Sequence, residues 1–221
     1  MTPEQIQELN KVAKAMVAPG KGILAADESM PTIEKRFKSV GIENTEENRR
    51  AYREMLFTTS GFEEFISGVI FFDETIRHKT TDGTPFTEIL QRKGILPGIK
   101  VDQGTEPMPE SPEEKITKGL EGLSQRLADY SKLGAKFAKW RAVITIGKGI
   151  PTDANIRENA VRLAQYAKLS QEAGIVPMVE PEVLMDGDHT VERCEEITLV
   201  TLKAVFEELK KKDVLDRKSV V

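Results

Sequence analysis

Cysteine is almost absent: Cys194 stands alone, so no disulfide within the chain can brace the fold. Histidine is nearly as scarce, and His78 and His189 lie far apart without the short spacing of a ligand pair, so neither a metal nor any other cofactor is expected. No apolar run approaches the roughly 20 residues that cross a bilayer, which speaks against a membrane-spanning segment. No positively charged leader precedes an apolar stretch near Met1, and with so little cysteine this predicts a reducing, cytoplasmic setting. A glycine-rich nucleotide element of the G-x-G-x-x-G or G-x-x-x-x-G-K-S/T type is missing after the early apolar segments. An excess of basic charge is missing too. Lys and Arg number 32 against 36 Asp and Glu, giving a net charge of −4, so no general field for nucleic acid exists and any phosphate must meet a local cationic cluster.

What remains is the composition of a folded α/β chain, 39% hydrophobic and 31% charged, and its length predicts one domain over residues 1–221. Short apolar segments recur, each followed by a stretch with helical periodicity, which predicts parallel strands joined by crossover helices. Strands are expected at 22–26 (GILAA), 67–72 (SGVIFF), 98–101 (GIKV), 135–140 (AKFAKW) and 175–179 (IVPMV). Helices are expected over 3–16, 46–57, 111–133, 153–173 and 191–212, with Thr152 or Asp153 capping the fourth. Residues 103–113, with Pro107, Pro109 and Pro112 in a polar stretch, are expected to lack regular structure.

Charged residues sit at the carboxyl ends of these strands: Asp27, Lys100, Lys139 with Arg141, and Glu180 with Glu182. In a (β/α)8 TIM barrel all such ends face one side, where a reaction site is assembled from different strands, so the expected fold is that barrel with about five of its eight units present. Lys139 and Arg141 flank Trp140 and point to one face of a regular strand, suited to phosphate or carboxylate; a surface charge pair is the plainer account. Paired carboxylates such as Glu180 and Glu182 can divide the work of proton donor and cation holder, or can belong to a solvated loop. Lys100 interrupts an apolar strand beside Asp102, as a site lysine or as one that snorkels into water. Asp27 and Ser29 could orient a ligand or cap a helix, and Lys35 with Arg36 could meet a distant phosphate or form a solvated helix face. Asp73 and Glu74 have no local partner and are expected to be structural, Cys194 inert, and Trp140 and Phe71 packing residues.

GILAADES at 22–29, ENTEENRRAYREMLF at 43–57, ISGVIFFDET at 66–75, GIKVD at 98–102, FAKWR at 137–141, GIVPMVEPE at 174–182 and DGDH at 186–189 together resemble the class I, Schiff-base-forming fructose-bisphosphate aldolase family, over residues 3 to about 215. The resemblance implies a (β/α)8 barrel, commonly a homotetramer, that reversibly cleaves fructose 1,6-bisphosphate to dihydroxyacetone phosphate and glyceraldehyde 3-phosphate without metal. It implies that Asp27 orients the C4 hydroxyl, Lys100 and Lys139 contact substrate and manage charge, and Arg141 helps recognise phosphate or hydroxyl. Glu180 corresponds to the family's acid and base, Glu182 to the carboxylate that orients the Schiff-base lysine, and Lys35 with Arg36 to the C6-phosphate site. Met30 and Pro31 depart from the usual Thr-Gly, and AVITIGKG after Arg141 departs from the commonest form.

The family carries its Schiff-base lysine in LLKPNM on the next strand, whereas here KKDVLDRKSVV closes the sequence, and Lys218 lacks the flanking motif. The expectation is that the chain stops before that strand, three units short, with an unpaired sheet edge and no Schiff-base activity of its own. A sugar-phosphate binder or assembly protein without covalent chemistry is the alternative.

Overall fold

The computed structural model describes residues 1–216 and 219–221; Lys218 lies outside the described residues. Among the described residues seven strands are present, β1 (Gly22–Ala26), β2 (Ile66–Phe71), β3 (Leu96–Lys100), β4 (Thr105–Met108), β5 (Ser111–Thr117), β6 (Phe137–Ile144) and β7 (Val176–Val183). Eight α-helices accompany them among the described residues, α1 (Pro3–Met16), α2 (Met30–Ser39), α3 (Glu46–Thr58), α4 (Phe62–Phe65), α5 (Phe86–Arg92), α6 (Leu123–Lys132), α7 (Asp153–Glu172) and α8 (Val191–Lys211). Five strands form one parallel sheet in the order β1-β2-β3-β6-β7, half of a barrel with helices on its outer face. An isolated bridge lies beside the outer edge of β7. Val220 bridges Met178 in parallel, donating its N–H to the Pro177 carbonyl at 2.9 Å. Gln171 of α7 holds the approach to this bridge by hydrogen bonds to both backbone groups of Leu215.

Side chains alternate across a strand, so each strand sorts its residues into two cores. Toward the helices point Val69, Phe71, Ile99, Ala138, Trp140 and Val179, all buried in the larger cluster. Trp140 stacks on Tyr166 of α7 at 5.5 Å between centroids, and the Tyr166 hydroxyl donates to the Ala138 carbonyl, which fastens α7 to β6. As expected, Trp140 and Phe71 are packing residues. Toward the inside point Ile23, Ile70, Leu96, Phe137, Val176 and Met178, and the apolar stripe of α1 closes over them with Leu9, Val12, Ala13 and Met16. α1 is therefore a plug at the amino ends of the strands. It is pinned by a Thr2 capping box and by the Ser67 hydroxyl, which donates to the Met16 carbonyl at 2.6 Å.

Helix 111–133 is not formed as expected. Ser111–Thr117 is strand β5, paired antiparallel with β4 inside the stretch expected to be irregular, and the helix is confined to Leu123–Lys132. Tertiary contacts decide this. Glu114 is buried, and its carboxylate accepts from the backbone N–H and hydroxyl of Thr152 at the start of α7, where the helix dipole favours an anion. Asn155 and Asn159 both donate to the Lys115 carbonyl at 2.9 Å, and Thr117 donates to the Arg141 carbonyl. The hairpin therefore spends its backbone and acidic groups on α7 and β6. Thr152 is the α7 cap, as expected. Helices α2, α4 and α5 are additions to the expected set.

The inner floor turns on the Phe137 ring, which lies across β2 and β3 where both carry glycine. A Cβ at Gly68 would come within 2.9 Å of the ring, and one at Gly98 within 2.2 Å. Gly98→Ala is expected to destabilise the fold by roughly 3 kcal/mol or more through overpacking. Adding Phe137→Leu should recover part of that loss in chemical denaturation, and strictly additive losses would show that the ring is not the obstacle.

Candidate active site

Above the apolar floor the inner-facing positions become charged. On β6 the period of two runs Phe137, Lys139, Arg141; on β7 it runs Val176, Met178, Glu180, Glu182; on β3, Gly98 is followed by Lys100 and Asp102. The same step on β1 leads from Ala25 to Asp27. Of these residues, Ala25, Asp27, Lys100, Asp102, Lys139 and Arg141 line a cavity of about 1040 Å³ at the carboxyl ends of the strands, joined by Arg36 of α2, whereas Glu180 and Glu182 do not line it. Glu180 and Glu182 of β7 reach the site through ion pairs with two of its lining cations, Lys139 and Arg141.

Lys139 is the centre of this arrangement. Its Nζ lies 3.2 Å from Asp27 Oδ2 and 3.4 Å from Glu180 Oε2, so strands from both ends of the sheet supply its counter-charges. Between β1 and β6 stand β2 and β3, three inter-strand steps that would separate the side chains by roughly 14 Å in a flat sheet. The contact therefore exists because the sheet curls. Burial opposes the ammonium more than any other single influence, but Asp27 and Glu180 together outweigh it and hold the Lys139 pKa above its ordinary value. Burial likewise raises the pKa of Glu180, which Lys139 only partly offsets.

Lys100 is paired at 2.8 Å with Asp102 Oδ1, which also accepts from the Gly104 N–H, and its Nζ lies 6.0 Å from the centroid of the Phe72 ring. The second oxygen of Asp102 is buried without a hydrogen-bond partner. Arg141 donates to Glu182. Arg36 lines the cavity from α2 and donates to Glu28, whereas Lys35, one residue earlier, is exposed and does not line it. The two cations named together in sequence are thus separated by the turn of the helix.

Asp73 and Glu74, expected to lack a local partner, are paired both locally, through Arg77, and with residues distant in the chain. Glu74 takes both its hydrogen bonds from Arg49 at 2.8 and 2.5 Å. Asp73 accepts from the Tyr130 hydroxyl and from Arg77, each at 2.9 Å, beside the cavity. Sequence reasoning also missed Arg53, a fully buried cation on α3 that pairs with Glu28 at 2.9 Å. Its one signal was spacing: Arg49, Arg53 and Phe57 recur every four positions and share the buried stripe of α3. Among the described residues, the group with metal-ligand chemistry is Glu46, Glu74 and His78, whose ligand atoms fall within 4.8 Å of one another. None of the three lines the cavity, and Arg49 already engages Glu74. Cys194 is half-buried, and no helix among the described residues is long and apolar enough to cross a membrane.

The family model for fructose-bisphosphate aldolase class-I matches residues 8–219. A Xanthomonas campestris protein named "Probable fructose-bisphosphate aldolase class 1" is 59% identical over 95% of the chain, and a Drosophila melanogaster fructose-bisphosphate aldolase is 55% identical over 91%. The chain spans 63% of the first of these and 56% of the second. Among solved structures, a fructose-bisphosphate aldolase from Plasmodium falciparum superposes with a TM-score of 0.97 at 47% identity, covering 99% of this chain and 64% of that one.

The raised pKa of Glu180 has a measurable sign. Above the ordinary glutamate value of about 4.3 the unfolded chain loses this proton while the folded chain still holds it, so stability falls as pH rises toward the folded pKa. Denaturant titrations across that window should show a shallower decline for Glu180→Gln than for the unaltered chain. An equal slope in both would mean that Glu180 is not held protonated by the fold.

Proposed function

The chain belongs to the class I fructose-bisphosphate aldolase family, and from that membership we propose that it carries the sugar-phosphate-binding and proton-handling side of the site that reversibly cleaves fructose 1,6-bisphosphate in the complete family enzyme. The observation that carries this reading is Lys139, an ammonium held between Asp27 and Glu180 at the wall of a polar cavity. In aldol cleavage the C4 hydroxyl gives up its proton, the C3–C4 bond breaks, and the electron pair passes toward C2. A carboxylate beside an ammonium suits the first event: Asp27 can take the proton while Lys139 steadies the negative charge that develops on oxygen. Glu180, whose proton is retained to higher pH by burial, suits the acid and base steps nearer C2. Glu182 holds Arg141, and Lys100 is held by Asp102, so both cations are fixed for contact with phosphate or hydroxyl groups. Arg36 is the cation proposed to receive the C6 phosphate, and exposed Lys35 adds only to the field around it.

The electron sink at C2 is a different matter. A Schiff base needs a neutral amine as nucleophile. The lysines of the cavity are Lys100 and Lys139; both are ion-paired, and the pKa of Lys139 is raised, which keeps it an ammonium at neutral pH. The chain alone is therefore proposed to bind the bisphosphate without forming the covalent intermediate or cleaving it, the behaviour of a sugar-phosphate binder.

Borohydride reduction in the presence of dihydroxyacetone phosphate, followed by peptide mass spectrometry, should leave Lys100 and Lys139 unmodified, while fructose 1,6-bisphosphate still binds saturably in calorimetry. An adduct on either lysine together with cleavage would overturn the non-covalent reading. Loss of saturable binding would overturn the binding assignment.

A further inference from the structure

Glu28 follows Asp27 out of β1 and divides its two oxygens between two arginines. One oxygen accepts from Nη2 of Arg53 at 2.9 Å, and the other accepts from Nη1 of Arg36. The two guanidiniums live in different surroundings. Arg53 on α3 has 1% of its side chain exposed, and Nη2 and Nη1 also come within 3.5 and 3.4 Å of the Ala26 and Arg49 carbonyls. Arg36 on α2 is 58% exposed and lines the cavity. Glu74, the next carboxylate near Arg53, is already matched by Arg49.

The charges in this cluster decide what Arg36 can do. Glu28 with Arg36 alone would be a neutral pair with little attraction left for an anion. Glu28 with Arg53 is neutral instead, and the surplus positive charge falls on the member that faces the cavity. We propose that Arg53 is a positioning residue that neutralises and anchors Glu28 from within the fold, so that Arg36 stays available as a cation for the phosphate of the sugar; this rests on the sugar-phosphate reading of the cavity. A guanidinium has five N–H donors, and Glu28 occupies Nη1, so the rest of the fork can meet phosphate oxygens. A merely stabilising buried pair would hold the fold just as well without making Arg36's affinity for anions depend on Arg53. That dependence separates the two.

The test is calorimetric titration of fructose 1,6-bisphosphate into the full chain and its variants, with circular dichroism to confirm folding. Arg36→Ala and Arg53→Met should each weaken binding by roughly tenfold, the effect of losing about one well-placed charge contact. Arg53→Met leaves buried Glu28 with only the exposed Arg36 to pair with and removes its partner inside the fold, which by itself threatens folding. Adding Glu28→Gln to Arg53→Met removes both buried charges, so this double variant should fold and bind within roughly threefold of the unaltered chain, a difference well under one charge contact. A double variant as weak as Arg36→Ala, or an Arg53→Met variant that binds normally, overturns the proposal and leaves the binding assignment intact. An unaltered chain that binds no bisphosphate overturns both.

Discussion

The ammonium of Lys139 needs counter-charges inside a half-buried wall, and the fold meets that need only by curling. Asp27 leaves the strand at one end of the sheet and Glu180 belongs to the strand at the other, yet both lie within 3.4 Å of the same nitrogen. A flat sheet would leave the charge to water. The curl also makes the cavity, because the side chains that surround Lys139 are the inner-facing residues of strands brought round to face one another. What stabilises the ion and what shapes the site are one piece of geometry.

The curl needs a floor beneath it. Glycines at 68 and 98 leave room for the Phe137 ring, and α1 covers the amino ends with its apolar stripe, so the inner face is dry below and polar above. The boundary falls within one strand period, between Phe137 and Lys139 on β6 and between Met178 and Glu180 on β7. Such a step sets the titration behaviour of the site: Glu180 is close enough to the apolar layer for burial to raise its pKa, and Lys139 close enough to two carboxylates to remain charged. Both groups are shifted upward, which favours the protonated acid at Glu180 and the cation at Lys139, and this is the physical basis for dividing acid from cation in the proposed chemistry.

Around this centre the helices supply charges that a strand-by-strand reading does not anticipate. α3 directs Arg49 and Arg53 inward, where they meet Glu74 and Glu28. α2 directs Arg36 toward the cavity and leaves Lys35 in solvent. The β4–β5 hairpin braces β6 from the other side through Thr117 and fixes the start of α7 through Glu114. These contacts join residues dozens of positions apart, and each satisfies a polar group that burial would otherwise penalise.

The five strands of the sheet, the span of α1 and the charged residues near the carboxyl ends of β1, β3, β6 and β7 were readable from the sequence, because alternation and helical period are local properties and the charged exceptions stand out against them. Family membership was readable for a related reason: GIKVD, FAKWR and VEPE pack their chemistry into a few consecutive positions. Long-range pairing was not. Residues 111–117 are rich in Glu and Lys, which favours a helix locally, and only the partners waiting on α7 and β6 make them a strand. Asp73 and Glu74 read as isolated acids because Tyr130 and Arg49 are distant along the chain, and Val220 reads as a tail residue until β7 offers it an edge. The sequence determined which groups face inward; the tertiary structure decided which meet, because a buried charge or backbone group settles where the folded chain provides its complement.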